Sequence, residues 1–346
     1  NILRSNGKII FEDNGFSRMY PASLTKMMTA LIALERGRLD DLVQVSALAA
    51  SQPGSSMHLK TGDLFTLEDL MYGLMLNSGN DAAWAIAEHI CSGDAYAFFD
   101  LMNERAKEIG AINTKFENPH GLSDPNHYTT AFDLALITKT CLRHPHFRNL
   151  VSSKEKHAIE AEGRIVLSLY NTNRLLWLNP DVDGVKTGTT PAAGQCLVAS
   201  AKKDGMQLIA VVLDSSDRWY DASELLSFGF DNYRIDILIP AGTVIVSLPV
   251  RFSTENHVPI VCDKDLYACV KKQSPKTEVV LDLPKSIKAP CPKGTIVGQA
   301  TLVSNNQVVE SSNLVTGNWV FLRTPWRLIV RLAFSVVIRF RSLGLI

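Results

Sequence analysis

Residues 20–37 read YPASLTKMMTALIALERG, in which a serine and a lysine three residues apart precede a long apolar run. The apolar side chains of this run recur at helical spacing: Leu24, Met27, Met28, Leu31 and Ile32. The spacing predicts a helix that begins near Ser23 and ends at Gly37. Residues three apart lie on one face of a helix, so Ser23 and Lys26 can act together as nucleophile and base.

The Ser-x-x-Lys spacing is weak evidence by itself, because it occurs four times, at Ser5, Ser23, Ser153 and Ser200. Only the copy at Ser23 directly precedes a long helical pattern. A helix-capping Ser23 with Lys26 on the surface would explain the same residues.

Two further motifs favour the catalytic interpretation of Ser23 and Lys26 over the helix cap. Residues 77–81, Asn-Ser-Gly-Asn-Asp, interrupt a helical pattern, and alone Ser78 and Asn80 could simply cap a helix. Lys186-Thr187-Gly188 is predicted to lie on a strand, and an Asp204-Gly205 hairpin turn follows it.

The order of local patterns predicts an α+β fold. Residues 1–12 form a predicted hairpin, helices are expected at about 67–77, 81–91, 94–109, 131–142 and 217–228, and strands at 164–170, 195–203 and 207–213. We interpret residues 1–233 as one domain with helices packed against an antiparallel sheet. Residues 234–322 contain short β-rich runs broken by turn residues, which predict a small all-β sandwich domain.

The charge of the chain divides unevenly. Its 346 residues are 46% apolar and carry 35 basic and 35 acidic side chains, a neutral sum that argues against nucleic-acid binding. All five charged residues after Leu322 are arginines, so residues 1–322 hold 30 basic and 35 acidic side chains. The chain opens at Asn1 without Met or a signal segment, which we interpret as a mature or truncated form.

Residues 323–346 form a basic apolar tail. Arg327, Arg331 and Arg339 fall on one helical stripe, and the longest uncharged run is seven residues, 332–338, whereas a bilayer span needs about 20. The pattern predicts an amphipathic helix that anchors the protein to a membrane surface. A helix buried against the protein is the alternative, but burying five unpaired arginines is costly.

Neither cysteine nor histidine spacing indicates a metal. The six cysteines show no Cys-x-x-Cys pair and are interpreted as core thiols. His120, His127, His144 and His146 have no accompanying carboxylate cluster, so we expect structural roles, no metal and no cofactor.

The ordered set of motifs resembles the penicillin-binding, active-site-serine proteins, and most closely the low-molecular-mass D-alanyl-D-alanine carboxypeptidases of the peptidase S11 type. The matching blocks are residues 20–26, 74–81, 118–122 and 184–189. The resemblance implies a β-lactamase/transpeptidase-like catalytic domain, followed by the β domain and the anchor.

The resemblance also implies roles for the motif residues. Ser23 would attack the penultimate D-alanine of a peptidoglycan pentapeptide, and Lys26, made neutral by burial and by the nearby positive Lys186, would be the general base. Ser78 would relay the proton to the leaving amine, and Asn80 would bind the substrate amide.

The strand motif at residues 186–189 would bind the substrate. Lys186, Thr187, Gly188 and Thr189 would bind the substrate, with the terminal carboxylate held by the lysine and the threonines. The backbone N–H groups of Ser23 and Thr189 would form the oxyanion hole.

The resemblance implies further that β-lactams acylate Ser23 and that the enzyme works at the extracytoplasmic face of the cell membrane. A β-lactamase or esterase on the same scaffold, and a non-catalytic wall-binding protein, remain as alternatives. No deacylating glutamate can be placed from the sequence.

Overall fold

The computed structural model describes residues 2–5, 8–163 and 165–323, with side chains from residue 8 onward. Apart from Arg323, the predicted anchor helix lies outside the described residues. The chain divides into two compact units, Asn1–Asp231 and the part that begins at Asn232. Within the described residues, no helix has both the length and the apolar composition that crossing a bilayer requires.

The first unit combines helices with a five-stranded antiparallel sheet and two small two-stranded sheets. In chain order its elements are β1 (Ile2–Ser5), β2 (Lys8–Glu12), a 3₁₀ turn (Ala22–Thr25), α1 (Lys26–Arg36), β3 (Leu42–Gln44), α2 (Ala47–Ala50), β4 (Leu64–Thr66), α3 (Leu67–Met75), α4 (Asn80–Ile90), α5 (Ala95–Ile109), α6 (Ala131–Cys141), α7 (Pro145–Ser152), β5 (Glu155–Ile159), β6 (Val166–Tyr170), α8 (Leu175–Leu178), β7 (Val182–Thr190), β8 (Gly194–Lys203), β9 (Met206–Ser215) and α9 (Arg218–Asn232). The large sheet has the strand order β2-β1-β9-β8-β7, so β7 lies at its edge. This architecture confirms the predicted α+β fold.

Helix α1 is the centre of the first core. Every residue from Lys26 to Ala33 is buried, and the helix packs against α3, α4, α5, α6 and α7. A helix that is buried on all sides belongs in the interior of a large core. The side chain of Lys26, the first residue of this helix, therefore has no contact with water.

Local signals set several element ends as predicted. Asp94 caps α5 by accepting hydrogen bonds from two backbone N–H groups, and Gly110 ends the helix in the left-handed region at φ +89°. Asp204 and Gly205 join β8 to β9 with φ values of +48° and +78°. Two successive positive φ values are the signature of the type I′ hairpin turn that the Asp-Gly pair predicts.

The structure differs from the sequence prediction where segments are short. Ser23 does not begin the α-helix but lies in the 3₁₀ turn, whose Leu24 N–H donates to Pro21 O at 3.2 Å. Strands β3 and β4 were not predicted, because three residues are too few to show a period. Helix α7 was also missed, although Pro145 in its first turn was an available signal.

The second unit consists of strands in its described part. They are β10 (Tyr233–Ile239), β11 (Val244–Arg251), β12 (His257–Cys262), β13 (Leu266–Lys271), β14 (Glu278–Asp282), β15 (Ile287–Lys288), β16 (Ile296–Ser304) and β17 (Gln307–Thr316). One sheet has the order β14-β16-β17-β12-β11-β15, and a second pairs β10 with β13. Residues such as Val258, Ile260 and Leu314 form a separate core, as predicted for an all-β domain.

Candidate active site

The turn that carries Ser23 is held between two glycines. A Cβ atom on Gly121 would lie 1.8 Å from Ala22 O, and one on Gly188 would lie 3.2 Å from Ser23 N. Gly121 also has a φ of +89°, which disfavours any other residue. The absence of both side chains lets the loop after α5 and strand β7 approach the serine turn from two directions.

Lys26 lies beneath Ser23 at the start of α1 and is fully buried. Its Nζ is 2.9 Å from Ser23 Oγ, 2.7 Å from Asn80 Oδ1 and 2.8 Å from His120 O. Burial lowers the pKa of Lys26 well below its ordinary value, and the positive charge of Lys186 lowers it further. The nearby Asp81 carboxylate opposes both effects on this pKa, but its influence is smaller.

The orientation of Asn80 is determined by its second partner. Its Nδ2 donates to Pro53 O, so its Oδ1 must face Lys26. A neutral amine has two N–H groups and one lone pair. As an ammonium group, Nζ donates to Ser23 Oγ, Asn80 Oδ1 and His120 O. Once neutral, it can keep its hydrogen bonds to Asn80 Oδ1 and His120 O and turn its lone pair to the Ser23 hydroxyl. The same three oxygens therefore suit Lys26 before and after it loses a proton.

Asp81 anchors the loop beside this cluster. The carboxylate is buried and accepts hydrogen bonds from Ser56 Oγ at 2.5 Å and from the backbone N–H groups of Met57 and Leu59 at 3.1 Å. No sequence motif predicts a role for Asp81. The structure shows that it holds the segment that includes residues 56–59 against the N-terminus of α4.

Ser78 and Lys186 belong to different elements of the site, the turn between α3 and α4 and strand β7. Ser78 lies in the turn between α3 and α4 with φ +61° and is nearly buried. The three oxygens hydrogen-bonded to Lys26 do not include Ser78 Oγ. On β7, Lys186 is 1% exposed, and burial together with the charge of Arg218 lowers its pKa to about 7.

Arg218, at the start of α9, is a residue that sequence analysis missed. Its Nη1 donates to Gly188 O at 2.9 Å and to Thr189 Oγ1 at 2.7 Å. Its Nε is buried and has no hydrogen-bond partner among the described residues. The Arg218 guanidinium and Lys186 place two positive charges close together, which suits an anion. No local motif marks Arg218, because it joins the site only through the pairing of β7, β8 and β9.

Two threonines of the Lys-Thr-Gly-Thr segment belong to the same wall. The Thr187 hydroxyl lies 2.7 Å from that of Thr172, and the Thr189 hydroxyl donates to Gly188 O. Both hydroxyls therefore have fixed orientations beside Lys186.

His120 and His127 are neutral structural histidines. Burial is the main cause that lowers the pKa of His120 to about 3 and that of His127 to about 4. Nδ1 of His127 accepts from Glu117 N, so its Nε2 carries the proton and donates to Thr25 Oγ1 at 2.8 Å. Within the described ranges, no three His, Cys, Asp or Glu side chains are grouped to hold a metal ion.

Two sequence families match the chain. The D-alanyl-D-alanine carboxypeptidase family (peptidase S11) matches residues 2–217, and the C-terminal domain of penicillin-binding protein 5 matches residues 236–320. Both matches follow the division into two units that the structure shows.

Individual proteins match over most of the chain. The D-alanyl-D-alanine carboxypeptidase DacF of Bacillus subtilis is 35% identical over 90% of this chain and 82% of its own length. DacC of Escherichia coli is 34% identical over 90% of this chain and 80% of its own. Penicillin-binding protein 5 of Haemophilus influenzae superposes with a TM-score of 0.78 at 32% identity, covering 92% of this chain and 96% of that one.

Proposed function

This chain belongs to the D-alanyl-D-alanine carboxypeptidase family, and from that premise we propose that Ser23 is its nucleophile and Lys26 its general base. The protein is a serine hydrolase of peptidoglycan stem peptides, a substrate outside the cytoplasmic membrane. The observation that carries the residue assignment is the buried Lys26 Nζ, 2.9 Å from Ser23 Oγ, with Asn80 Oδ1 and His120 O as its two other partners.

Acylation follows from this geometry. Ser23 Oγ bonds to the carbonyl carbon of the penultimate D-alanine while its proton passes to Lys26 Nζ. The backbone N–H groups of Ser23 and Thr189 stabilise the oxyanion. When the peptide C–N bond breaks, the departing D-alanine amine takes up a proton, and Ser78 is the proposed relay for it. Gly188 allows β7 and the Ser23 turn to lie close enough for both N–H groups to serve one oxygen.

The anion site on β7 would orient the substrate. Lys186 and the Arg218 guanidinium supply positive charge, and the hydroxyls of Thr187 and Thr189 would donate to the terminal carboxylate after turning from Thr172 Oγ1 and Gly188 O. Because β7 is a sheet edge, an extended peptide can add to it by backbone hydrogen bonds. Asn80 holds Lys26 through Oδ1 and donates one Nδ2 hydrogen to Pro53 O, and its second Nδ2 hydrogen is the group proposed to bind the substrate amide.

Hydrolysis completes the cycle. Water attacks the acyl-enzyme carbonyl and gives its proton to Lys26, which was restored to the neutral form when the leaving amine was protonated. The bond from the carbonyl carbon to Ser23 Oγ then breaks, and Lys26 returns the proton to Oγ, which frees both the product acid and the enzyme. A β-lactam that carries a carboxylate would be attacked by Ser23 in the same way, but its amine stays attached to the acyl group. We therefore expect a slowly hydrolysed adduct.

Covalent labelling tests the assignment of Ser23. A fluorescent penicillin should label the wild type, and Ser23→Ala should abolish both labelling and release of D-alanine from a pentapeptide. Ser153→Ala is a matched control, because Ser153 also begins a Ser-x-x-Lys sequence. Labelling of Ser23→Ala would refute the assignment. Rapid turnover of a chromogenic cephalosporin without D-alanine release would instead indicate a β-lactamase.

Residues 324–346 are proposed to bind the protein to the outer surface of the cytoplasmic membrane. The support is their composition, with four arginines, no acidic residue and a broadly apolar remainder. Deleting them should release the protein from membranes and leave hydrolysis of a soluble peptide intact. In the full-length chain, Arg327→Glu with Arg331→Glu should weaken binding similarly. Membrane association that survives both changes would exclude the tail as the anchor.

A further inference from the structure

Apolar side chains are exposed together at the point where the described chain ends. We name this group the aromatic patch, and its members are Phe252, Trp319, Phe321 and Leu322. Their exposed fractions are 65%, 51%, 40% and 43%. The rings of Trp319 and Phe321 stack with centroids 5.8 Å apart, and Leu322 pairs with Ser253, next to Phe252. Exposed apolar residues that cluster in this way mark an interaction surface, whereas single ones are ordinary.

The backbone at Phe252 turns an aromatic side chain outward. Phe252 has a φ of +62°, a left-handed conformation that costs a bulky residue free energy, and its carbonyl accepts a hydrogen bond from Arg323 N. Val320, between the two stacked rings, is instead fully buried and pairs with Cys291. The alternation directs Val320 into the core and the rings of Trp319 and Phe321 to the outside.

The segments that form and surround the aromatic patch are strongly basic. Residues 250–255, 284–294 and 317–323 are joined by the Arg251–Lys288, Cys291–Val320 and Ser253–Leu322 pairs. They contain five basic residues and one acidic residue, Glu255, whereas the chain as a whole is neutral. The five basic side chains are all exposed: Arg251, Lys285, Lys288, Lys293 and Arg323. We name these five residues the basic ring. Exposed apolar side chains accompanied by exposed cations in the same paired segments match an anionic lipid surface, where aromatic rings enter the interfacial layer.

Charge also favours an anionic lipid surface over two other possible partners of the patch, the chain's own tail and a second copy of the chain. The adjoining tail carries four arginines and no acid, so a basic surface would repel it if it folded back. A second copy that docked through the same surface would present the same basic ring and be repelled in the same way. Only a negatively charged partner complements the surface, and the tail that leaves it at residue 323 is itself the proposed anchor.

We propose that the aromatic patch and its basic ring form a second membrane-contact surface, which inserts Trp319 and Phe252 into the interface of anionic lipids. The proposal rests on the anchoring role of residues 324–346, which would bring the patch to the bilayer. The two contacts can be tested separately, because residues of the patch can be replaced without changing the tail, and insertion of Trp319 can be observed apart from binding.

Lipid quenching tests insertion in the full-length protein. Vesicles of phosphatidylglycerol and phosphatidylcholine with brominated acyl chains are added to the wild type and to Trp319→Phe. The difference between the two emission spectra isolates Trp319 from the four other tryptophans, including Trp326 in the tail. We expect this difference spectrum to shift to shorter wavelength and to be quenched. Binding without any quenching of Trp319 would overturn the patch and leave the anchor standing.

Sedimentation with the same vesicles measures the contribution to affinity. The double change Phe252→Ser with Trp319→Ser should lower the partition coefficient by about tenfold or more, because two largely exposed rings no longer enter the lipid. Val308→Ser removes an equally exposed apolar side chain near the opposite end of β17 and should leave the partition unchanged. Circular dichroism and D-alanine release should be unaltered in all these variants.

Equal partition of the double variant and the Val308→Ser control would also overturn the patch. If the wild type fails to sediment with anionic vesicles, both the anchor and the patch are excluded, while the enzymatic assignment is unaffected.

Discussion

Burial of two lysines dominates the chemistry of the site at the scale of single residues. Lys26 and Lys186 are both at most 1% exposed, and burial lowers the pKa of each. The two charges also oppose one another, because Lys186 lowers the pKa of Lys26. One lysine can therefore be neutral and act as a base while the other stays positive and binds a carboxylate. Activity should rise with pH as Lys26 loses its proton and fall as Lys186 loses its charge above about 7.

Replacing Lys26 by arginine tests whether Lys26 acts as a base or only supplies positive charge. Arginine keeps the positive charge but does not deprotonate in proteins, so Lys26→Arg should lower the acylation rate by about 10²- to 10⁴-fold. Stopped-flow acylation by a chromogenic cephalosporin measures this. Lys26→Met, similar in length and uncharged, should be equally slow, and thermal denaturation checks that both variants fold. An arginine variant that remains active would exclude the role of base.

Arg218 should contribute through the substrate carboxylate. Arg218→Leu removes a charge-assisted contact, and we expect kcat/KM for D-alanine release to fall by about 10- to 100-fold. A peptide with a C-terminal amide lacks the negative charge, so wild type and variant should hydrolyse it at similar rates. An equal loss on both peptides would mean that Arg218 supports β7 and does not bind the carboxylate.

At the scale of elements, the Ser23 turn depends on neighbours that are remote in sequence. Gly188 on β7 and Gly121 in the loop after α5 approach its backbone, and His127 from the same loop donates to Thr25 at its end. Thr25 directly precedes Lys26, so this hydrogen bond joins the loop to the position from which the proposed base projects. A neutral His127 is required, because its Nδ1 accepts a backbone N–H.

Acid should therefore weaken the first unit. The pKa of His127 is about 4 in the fold and about 6.5 when unfolded, so the unfolded chain binds more protons between these values and stability falls as pH falls from 6.5 through 4. The loss from this residue is on the order of 3 kcal/mol. Urea unfolding of the wild type and of His127→Gln at several pH values measures it. The variant should be less stable at pH 7 but less sensitive to acid, and parallel curves would contradict the account.

The whole molecule combines an acidic body with a basic end. Residues 1–322 carry five more acidic than basic side chains, and the remaining residues carry five arginines. The second unit also carries exposed basic residues before the tail. These are Arg251, Lys285, Lys288 and Lys293, which together with Arg323 form the basic ring. The first unit contains the catalytic cluster, and it has a core separate from that of the second unit.

Salt should reveal this asymmetry in membrane binding. Raising the ionic strength from about 0.1 M to about 1 M shortens the Debye length from about 10 Å to about 3 Å, which weakens attraction between arginines and anionic lipids. We expect partition onto phosphatidylglycerol-containing vesicles to fall and the weaker partition onto pure phosphatidylcholine to change little. A salt response that is the same for both lipids would show that apolar contacts alone hold the protein.

Part of the fold and site could be predicted because it depends on neighbours along the chain. The Asp204-Gly205 turn follows from the φ preferences of two residues, and the α5 ends follow from Asp94 and Gly110. The Ser23 and Lys26 spacing places two side chains on one helical turn. Strands β3 and β4 could not be predicted, because three-residue strands are defined by their pairing with each other.

The sequence by itself determined the chemical groups, their order and the family to which they belong. Tertiary structure decided how these groups behave. Lys26 meets Asn80 across 54 residues and His120 O across 94, and Arg218 reaches Thr189 across 29. The pKa of a lysine depends on the water and charges around it, and in this protein those come from chain segments that only folding brings together. Motifs can therefore indicate a candidate nucleophile and base, but only the packed core lowers the pKa of that base.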